Sequence, residues 1–357
     1  MDYANRDKHR TAAAPSAATL IPGQQRLQQM FQQQLHSYLR YTIMTAFFVV
    51  GLGAYTRLSD AGLGCPDWPK CYGNWIVQLN STQPSLSFTA LEKAWIEMLH
   101  RYLAGMFSCT VMGLNIWHYR HMRHQHWLLN LALLTISFQA LFGMWTVTWK
   151  LHPLAVMPHL LGGMSITCLL YISYLQVQQQ ARTTVPRCLS ITIHVLLFAT
   201  ILQIGLGGWT SANYAQLICP DFPTCQGQWW PDMSFSDGFR LPAIGPNYAG
   251  GIFNGPGRIA IHMTHRLTAY LISAVMLVLL RLAYKYQQQL SANIQQQVMI
   301  CAGLLGIQIT LGILNIHWQV AWYIALAHNL TALALLLSLI KLSMSSTSIK
   351  HAIDHAG

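Results

Sequence analysis

Charged side chains are scarce in this 357-residue chain, where Asp, Glu, Lys and Arg together make up 9%, against about 25% in soluble domains. Only 10 residues are acidic and 21 are basic, so the formal net charge of +11 reflects missing acids. A soluble globule with 53% hydrophobic residues and so little charge lacks the polar groups to cover its surface. The composition therefore indicates an integral membrane protein. Nucleic-acid binding is excluded, because the bases do not cluster with stacking aromatics.

Eight apolar segments are each long enough to cross a bilayer, which takes about 20 residues. They lie near 38–58, 97–117, 127–147, 157–176, 190–210, 259–281, 297–316 and 323–342. Lys and Arg concentrate in the intervening segments that lie inside when the N-terminus is placed inside. We therefore expect an all-α fold with both termini cytoplasmic. The tails are 1–35, predicted to be disordered, and 346–357.

The sequence contains two copies of one four-helix unit. CPDWPKC at 65–71 matches CPDFPTC at 219–225, and EMLHR at 97–101 matches HMTHR at 262–266. HLL at 159–161 likewise matches HNL at 328–330. Four spans per copy return the chain to its starting side, which gives the copies parallel topology. We expect two pseudo-symmetric four-helix bundles, at 36–176 and 190–345, joined by an inner linker at 177–189.

Four of the 16 histidines lie in predicted spans at matching positions of the two copies: His100, His159, His265 and His328. An ionisable residue inside a span is a candidate functional residue by default. Two facing imidazoles in a four-helix bundle can supply both axial ligands of a haem, so each copy is predicted to bind one haem iron. The alternative is that these histidines join helices through hydrogen bonds.

Glu97 is the only acidic residue in a predicted span, and its counterpart in the second copy is His262. It precedes His100 by three positions, which places both on one helix face. We expect a catalytic carboxylate beside a chemically active haem, with a structural ion pair to Arg101 as the alternative. Arg101 and Arg266 are candidates for pairing with haem propionates, or for reaching lipid head groups.

Two cysteine pairs with the same spacing lie in the outer loops, Cys65 with Cys71 and Cys219 with Cys225. The outer side of a bacterial inner membrane permits disulfides. We expect structural disulfides, with thiol exchange as the alternative because small exposed disulfide loops can be labile.

Several segments of the chain resemble the haem A synthase family of proteobacteria. They are CPDWPKC, EMLHR, GMWTVTWKLHP with PHLLGG, GGWTSANYAQLICPDFPTCQGQWWP, GPNY, IHMTHR and AHNLTA, spread over about 40–345. The resemblance implies an eight-span enzyme of two pseudo-symmetric bundles in the bacterial inner membrane, with the cysteine loops in the periplasm. It implies conversion of haem O to haem A for the terminal cytochrome oxidase. The porphyrin C8 methyl becomes a formyl group by successive hydroxylations and loss of water.

The resemblance also implies a division of labour between the halves. The substrate haem O lies between His100 and His159, with Glu97 as the essential carboxylate, and a haem b between His265 and His328 serves electron transfer. By the same resemblance, the cysteine pair of the N-terminal half takes part in haem handling or redox exchange, and the pair of the C-terminal half is structural.

The implied partners are haem O synthase, the cytochrome oxidase assembly route, membrane lipid and an electron donor or acceptor that the sequence does not identify. The sequence leaves a homo-oligomer open. The main alternative function is a di-haem b-type membrane cytochrome that exchanges electrons with quinone. It accounts for the four histidines but not for Glu97.

Overall fold

A computed structural model of the chain describes residues 22–77, 87–121, 127–179 and 182–348. The helices are α1 (Pro22–Leu58), α2 (Phe88–His121), α3 (Trp127–Thr148), α4 (Pro153–Val177), α5 (Arg187–Ala212), α6 (Phe235–Gly238), α7 (Gly255–Lys285), α8 (Ala292–His317) and α9 (Trp322–Ser345). Two short strands, β1 (Thr183–Val185) and β2 (Ser346–Ser348), pair in parallel. The structure confirms the predicted all-α class, since these strands are only three residues long.

Seven of the described helices are long and apolar enough to cross a membrane, namely every long helix except α2. Helix α2 has 34 residues, but its first half carries Glu92, Lys93, Glu97, His100 and Arg101. These polar side chains lower the mean hydropathy of the helix. The seven apolar helices confirm a multi-pass membrane protein. The eighth predicted span lies in α2, which is not apolar enough to be identified as a membrane helix by its composition.

Several helices begin earlier than the sequence indicates. Helix α1 begins at Pro22, so the disorder predicted for 1–35 is wrong over 22–35, and 1–21 lie outside the described residues. The helix continues there because Leu35 and Leu39 are buried in a core cluster with residues of the neighbouring helices. Helix α2 begins at Phe88 rather than near 97, which places Glu97 well inside the helix.

The predicted linker and C-terminal tail meet each other. Strand β1 lies within the linker at 177–189, and β2 occupies the first residues of the predicted tail at 346–357. Their register pairs Thr183 with Ser346 and Val185 with Ser348. Residues 180–181 and 349–357 lie outside the described residues. The pairing of β1 with β2 links the segment that connects the two halves to the C-terminal end of α9.

The long helices pack in two rings with the same pairing order. In the first ring α1 and α3 each contact both α2 and α4, and in the second ring α5 and α8 each contact both α7 and α9. Contacts between the rings involve α1, α4, α5 and α9. One apolar cluster lies in each ring and a third lies between them, the last containing Met164, Leu175, Ile204, Leu333, Leu336 and Ile340. The tight packing that holds membrane helices together therefore continues across the two rings.

The loop between α5 and α7 reaches over the end of the first ring. The N–H of Tyr248 donates to the carbonyl of Lys150 at 3.0 Å. The ring of Tyr248 also lies against the buried His152, with centroids 4.8 Å apart. The second half thus covers part of the α3–α4 turn of the first.

Candidate functional site

His100 on α2 and His159 on α4 face each other inside the first ring. Their ring centroids are 6.4 Å apart and the ring planes differ by 87°. A bond from a metal ion to an imidazole nitrogen is about 2 Å, so one metal ion ligated by two opposed imidazoles requires a centroid separation of roughly 6 Å. The two predicted ligands are therefore brought together at a spacing that fits a shared iron.

His265 on α7 and His328 on α9 occupy the corresponding positions in the second ring. The two side chains are close enough for a charge on one to act on the other. The Nδ1 atoms of His100, His265 and His328 are buried without a hydrogen-bond partner. Buried polar atoms without a partner are uncommon and call for an explanation such as an absent ligand. Across the described ranges, no three or more His, Cys, Asp and Glu side chains gather as a metal site. Two imidazoles alone do not complete the coordination of an iron ion. Porphyrin nitrogens would supply the remaining ligands, so the paired histidines fit a haem iron.

A glycine on the preceding long helix lies against each of these imidazoles. A Cβ built on Gly53, Gly143, Gly207 or Gly312 would lie 2.8, 3.0, 3.2 or 3.3 Å from the Cε1 atom of His100, His159, His265 or His328, in that order. A side chain at these glycines would push the ring away. Sequence reasoning missed these four positions, although each glycine lies in the span before the one that carries its histidine.

Glu97 is buried, with 4% of its surface exposed, beneath the loop that carries the first cysteine pair. Its Oε1 accepts a hydrogen bond from Nη2 of Arg101 at 2.6 Å, and its Oε2 accepts one from the backbone N–H of Cys65 at 2.8 Å. The structural ion pair considered for Glu97 is therefore present. The carboxylate ties α2 to the cysteine loop while lying one helical turn from His100.

Arg101 and Arg266 hold the two cysteine loops by binding backbone carbonyls. Arg101 Nη1 donates to the carbonyl oxygens of Asp67, Pro69 and Lys70 at 2.9, 3.2 and 2.8 Å. Arg266 donates to the carbonyls of Thr224 at 2.8 Å and Cys219 at 3.1 Å. This loop-holding role was not predicted, because backbone acceptors leave no signal in a sequence. The pairing of these arginines with propionates stays a prediction.

The two cysteine loops have the same local structure. The sulfurs lie 2.04 Å apart in Cys65–Cys71 and 1.94 Å apart in Cys219–Cys225, which is disulfide distance. Cis peptide bonds occur at the same place in both, Trp68–Pro69 and Phe222–Pro223. An aspartate in each loop accepts two backbone N–H bonds, Asp67 from Tyr72 and Gly73 and Asp221 from Gln226 and Gly227. The repeat seen in the sequence is thus also a repeat of backbone conformation.

Asp221 has one partner more than Asp67. The Thr224 hydroxyl donates to it, in a position where the first loop has Lys70. This hydroxyl, followed by the N–H groups of Gly227 and Gln226, lowers the pKa of Asp221 to about 2. The second loop is therefore fastened around an ionised carboxylate.

The position of Glu97 is taken in the second ring by His262, which is also buried. Its Nδ1 donates to the carbonyl of Ala215 at 2.8 Å, so it joins α7 to the turn that follows α5, four residues before Cys219. The two rings therefore differ in the group one turn from the paired histidines, a carboxylate in one and an imidazole in the other.

A helical membrane protein with histidines paired at matching positions of two helix rings, one pair beside a buried carboxylate, carries the side chains that haem proteins use as iron ligands. The chain belongs to the cytochrome oxidase assembly protein family, whose model matches residues 36–340. It is 38% identical to the heme A synthase of Shewanella oneidensis over 87% of this chain and 96% of that relative. The heme A synthases of Neorickettsia sennetsu and Listeria monocytogenes (serotype 4a) are 23% and 27% identical, over 84% and 81% of this chain and 95% and 88% of their own. The family resemblance drawn from the sequence is confirmed.

Proposed function

We propose that this protein is a haem A synthase, which oxidises the C8 methyl of haem O to a formyl group. The observation that carries the proposal is Glu97, a buried carboxylate beside one histidine pair and replaced by His262 beside the other. Relatives named heme A synthase that align over most of their length support the same reaction. Two successive hydroxylations, each removing two electrons from the methyl carbon to an external electron acceptor, followed by loss of water, take the methyl to the formyl level.

The first ring is the substrate half in this proposal. His100 and His159 hold haem O between α2 and α4, as their 6.4 Å ring separation supports. The bonds from Arg101 and from the Cys65 N–H fix both oxygens of Glu97, so the carboxylate does not swing away from the face that it shares with His100. A fixed negative group there stabilises positive charge that develops at the oxidised methyl carbon, or accepts a proton from attacking water.

The second ring is the electron-transfer half. His265 and His328 would hold a haem b, which supplies one-electron chemistry when bound. The buried cluster around Leu279, Leu305 and Leu339 keeps water out of the ring below these histidines. Arg266 is a candidate partner for a propionate, supported by its buried Nε, which lacks a partner among the described residues. Arg101 is the equivalent candidate in the first half.

The finer architecture is also part of the proposal. We assign eight transmembrane helices in two pseudo-symmetric four-helix bundles, at 36–176 and 190–345, because α2 is 34 residues long and packs between α1 and α3. The excess of Lys and Arg in the inner segments supports a bacterial inner membrane protein with both termini cytoplasmic. Disulfide-distance cysteines support periplasmic loops. Haem O synthase and the oxidase assembly route are the expected partners, with an electron donor or acceptor.

Co-expression with a haem O synthase, followed by extraction and chromatography of the haems, tests the proposal. The wild type should yield haem A together with haem b. Alanine at His100 or His159 should abolish haem A and leave haem b, whereas alanine at His265 or His328 should remove haem b. A wild type that contains haem b alone and forms no haem A would instead support the di-haem cytochrome.

A further inference from the structure

Three of the four paired histidines contact a glutamine, and the fourth does not. Each glutamine lies four residues before the glycine that packs on the same histidine, the pairs being Gln139 with Gly143, Gln203 with Gly207, and Gln308 with Gly312. The residue four positions before Gly53, on the helix that faces His100, is Val49. A glutamine therefore accompanies three of the four paired histidines, and a valine takes its place at the fourth.

The glutamine amides hold the histidines by hydrogen bonds. The Nε2 distances are 2.6 Å from Gln139 to the His159 carbonyl, 2.9 Å from Gln203 to the His265 carbonyl, and 3.2 Å from Gln308 to Nε2 of His328. His159 Nδ1 donates in addition to the carbonyl of Gln139 at 3.2 Å. Each of these contacts joins the helix that carries the histidine to its neighbour. The bonds from Gln139 and Gln203 to carbonyls fix the helix that carries the histidine, while Gln308, and Gln203 at 3.5 Å, also reach Nε2 of the ring. Groups outside the ligand set commonly position metal-binding histidines.

The fit around Gln139 is close. A Cβ built on Gly162 would lie 2.1 Å from Gln139 Oε1, so a larger residue there would displace the amide from its present position. The Oε1 atoms of Gln139, Gln203 and Gln308 are all buried and lack partners among the described residues. Because an amide buried with an unused acceptor is costly, its presence at three equivalent positions requires a compensating role.

His100 lacks such a contact. Its Nδ1 is buried and unpartnered, and within the described part of the chain its ring receives no hydrogen bond. Val49 offers only methyl groups and packs against the apolar cluster of the first ring. The ring of His100 is positioned by the close contact with Gly53 alone on that side.

We propose that Val49 makes His100 the exchangeable ligand of the pair in the first ring. This inference rests on the proposed function, in which one haem is substrate and the other is resident. A substrate haem must enter and its product must leave at each turnover, while an electron-transfer haem must stay. Glutamine at His159, His265 and His328 favours retention, and its replacement by valine opposite His100 favours release. Val49 is therefore a positioning residue that assigns the substrate role to the first ring.

The test compares haem release from the purified full-length protein to an excess of apomyoglobin, with the released haems identified by chromatography. Val49→Gln should slow release of haem O and haem A about tenfold, the lower end of the effect of outer partners on metal affinity. Val49→Met has nearly the same size as glutamine without the amide, and it should release haem at the wild-type rate. Gln308→Met should speed release of haem b by a similar factor.

Equal release rates in the wild type, Val49→Gln and Val49→Met would overturn the inference. If Val49→Gln binds no haem in the first ring, Gln308→Met decides, and unchanged haem b release would then refute the role given to the glutamines. Failure of the proposed function would give a different result, since the wild type would contain haem b in both rings and form no haem A. Even then, unequal release of the two haems, equalised by Val49→Gln, would uphold the inference.

Discussion

At matched positions, one turn before a paired histidine, the two rings carry groups of opposite hydrogen-bonding character. In the first, Glu97 accepts the N–H of Cys65, and in the second, His262 donates to the carbonyl of Ala215. The first contact holds the disulfide loop itself, and the second holds the turn that precedes its loop. Because the second loop has the same conformation beside an imidazole, the loop fold does not require a buried acid. The carboxylate of Glu97 is therefore better explained by chemistry than by architecture.

The arginines that follow His100 and His265 show the same contrast. Arg101 pairs with Glu97 at 2.6 Å in addition to its loop carbonyls. Among its described contacts, Arg266 has only carbonyl oxygens and the face of Phe222, 5.8 Å from its guanidinium carbon. One ring thus depends on a buried ion pair where the other uses neutral acceptors. Substitutions at matched positions in the two rings can separate these roles.

The largest contrast is expected from Glu97→Gln against His262→Gln. Glutamine keeps the shape of Glu97 but has a single acceptor oxygen, so it can accept from Arg101 or from the Cys65 N–H and not from both. Because Arg101 also binds three loop carbonyls, the loop and the haems should remain. Removal of the charge should lower haem A formation about a thousandfold, within the range for loss of an acid–base group. Extracted haems would be quantified for both variants. Haem A formation in Glu97→Gln above a tenth of the wild-type level would assign Glu97 a purely structural role.

Arg101→Met and Arg266→Met should differ in stability. Loss of Arg101 leaves the buried Glu97 carboxylate without its counter-charge, which costs roughly 3 kcal/mol or more. Loss of Arg266 leaves carbonyls unpaired, a cost of about 1–3 kcal/mol. Thermal unfolding in detergent should therefore show the lower transition for Arg101→Met. The double variant Arg101→Met with Glu97→Gln should recover part of the difference, and the absence of any recovery would mean that the ion pair is not the cause.

The four paired histidines and the acid stand out in the sequence because they are exceptions within their surroundings. Glu97 is the only acid in a predicted span, and the four histidines recur in register in two copies. A charged or ionisable group in an apolar segment is conspicuous, since its burial is costly. The cysteine loops were predictable from the repeated CPDxPxC pattern, and the structure gives both the same conformation.

The groups that surround the ligands were not predictable in this way. Gly53 and Gln203 lie on helices other than those of their histidines, and neither residue type is unusual in a membrane span. Only the folded arrangement shows that the spacing from Gln203 to Gly207 places both on His265. The early start of α1 was missed for a related reason. Its first turns are rich in glutamine, and the burial of Leu35 depends on packing with other helices.

Gly53→Ala against Gly312→Ala tests whether the closer glycine contact in the first ring does more to position its histidine. The added Cβ would lie 2.8 Å from His100 and 3.3 Å from His328, so both imidazoles must move and His100 must move further. We expect about a tenfold loss of haem from the first ring in Gly53→Ala, as for loss of ligand orientation, and a smaller loss from the second ring in Gly312→Ala. Haem content per protein gives the measurement. Equal losses would show that close contact with glycine does not set ligand position.

The smallest contrast lies in the two cysteine loops and depends on pH. Because the pKa of Asp221 is about 2, below the ordinary value of 3.8, its hydrogen bonds stabilise the loop above pH 3.8 and are lost as pH falls toward 2. Hydrogen exchange of the Gln226 and Gly227 amides, corrected for intrinsic rates, should show protection falling over that interval. Asp221→Asn should remove the pH dependence.

Thr224→Val removes the largest cause of the lowered pKa of Asp221 and makes the second loop more like the first, which has no hydroxyl at this position. It should therefore move the loss of protection to higher pH, and an unmoved transition would show that the backbone N–H groups alone set the affinity of this carboxylate for its proton.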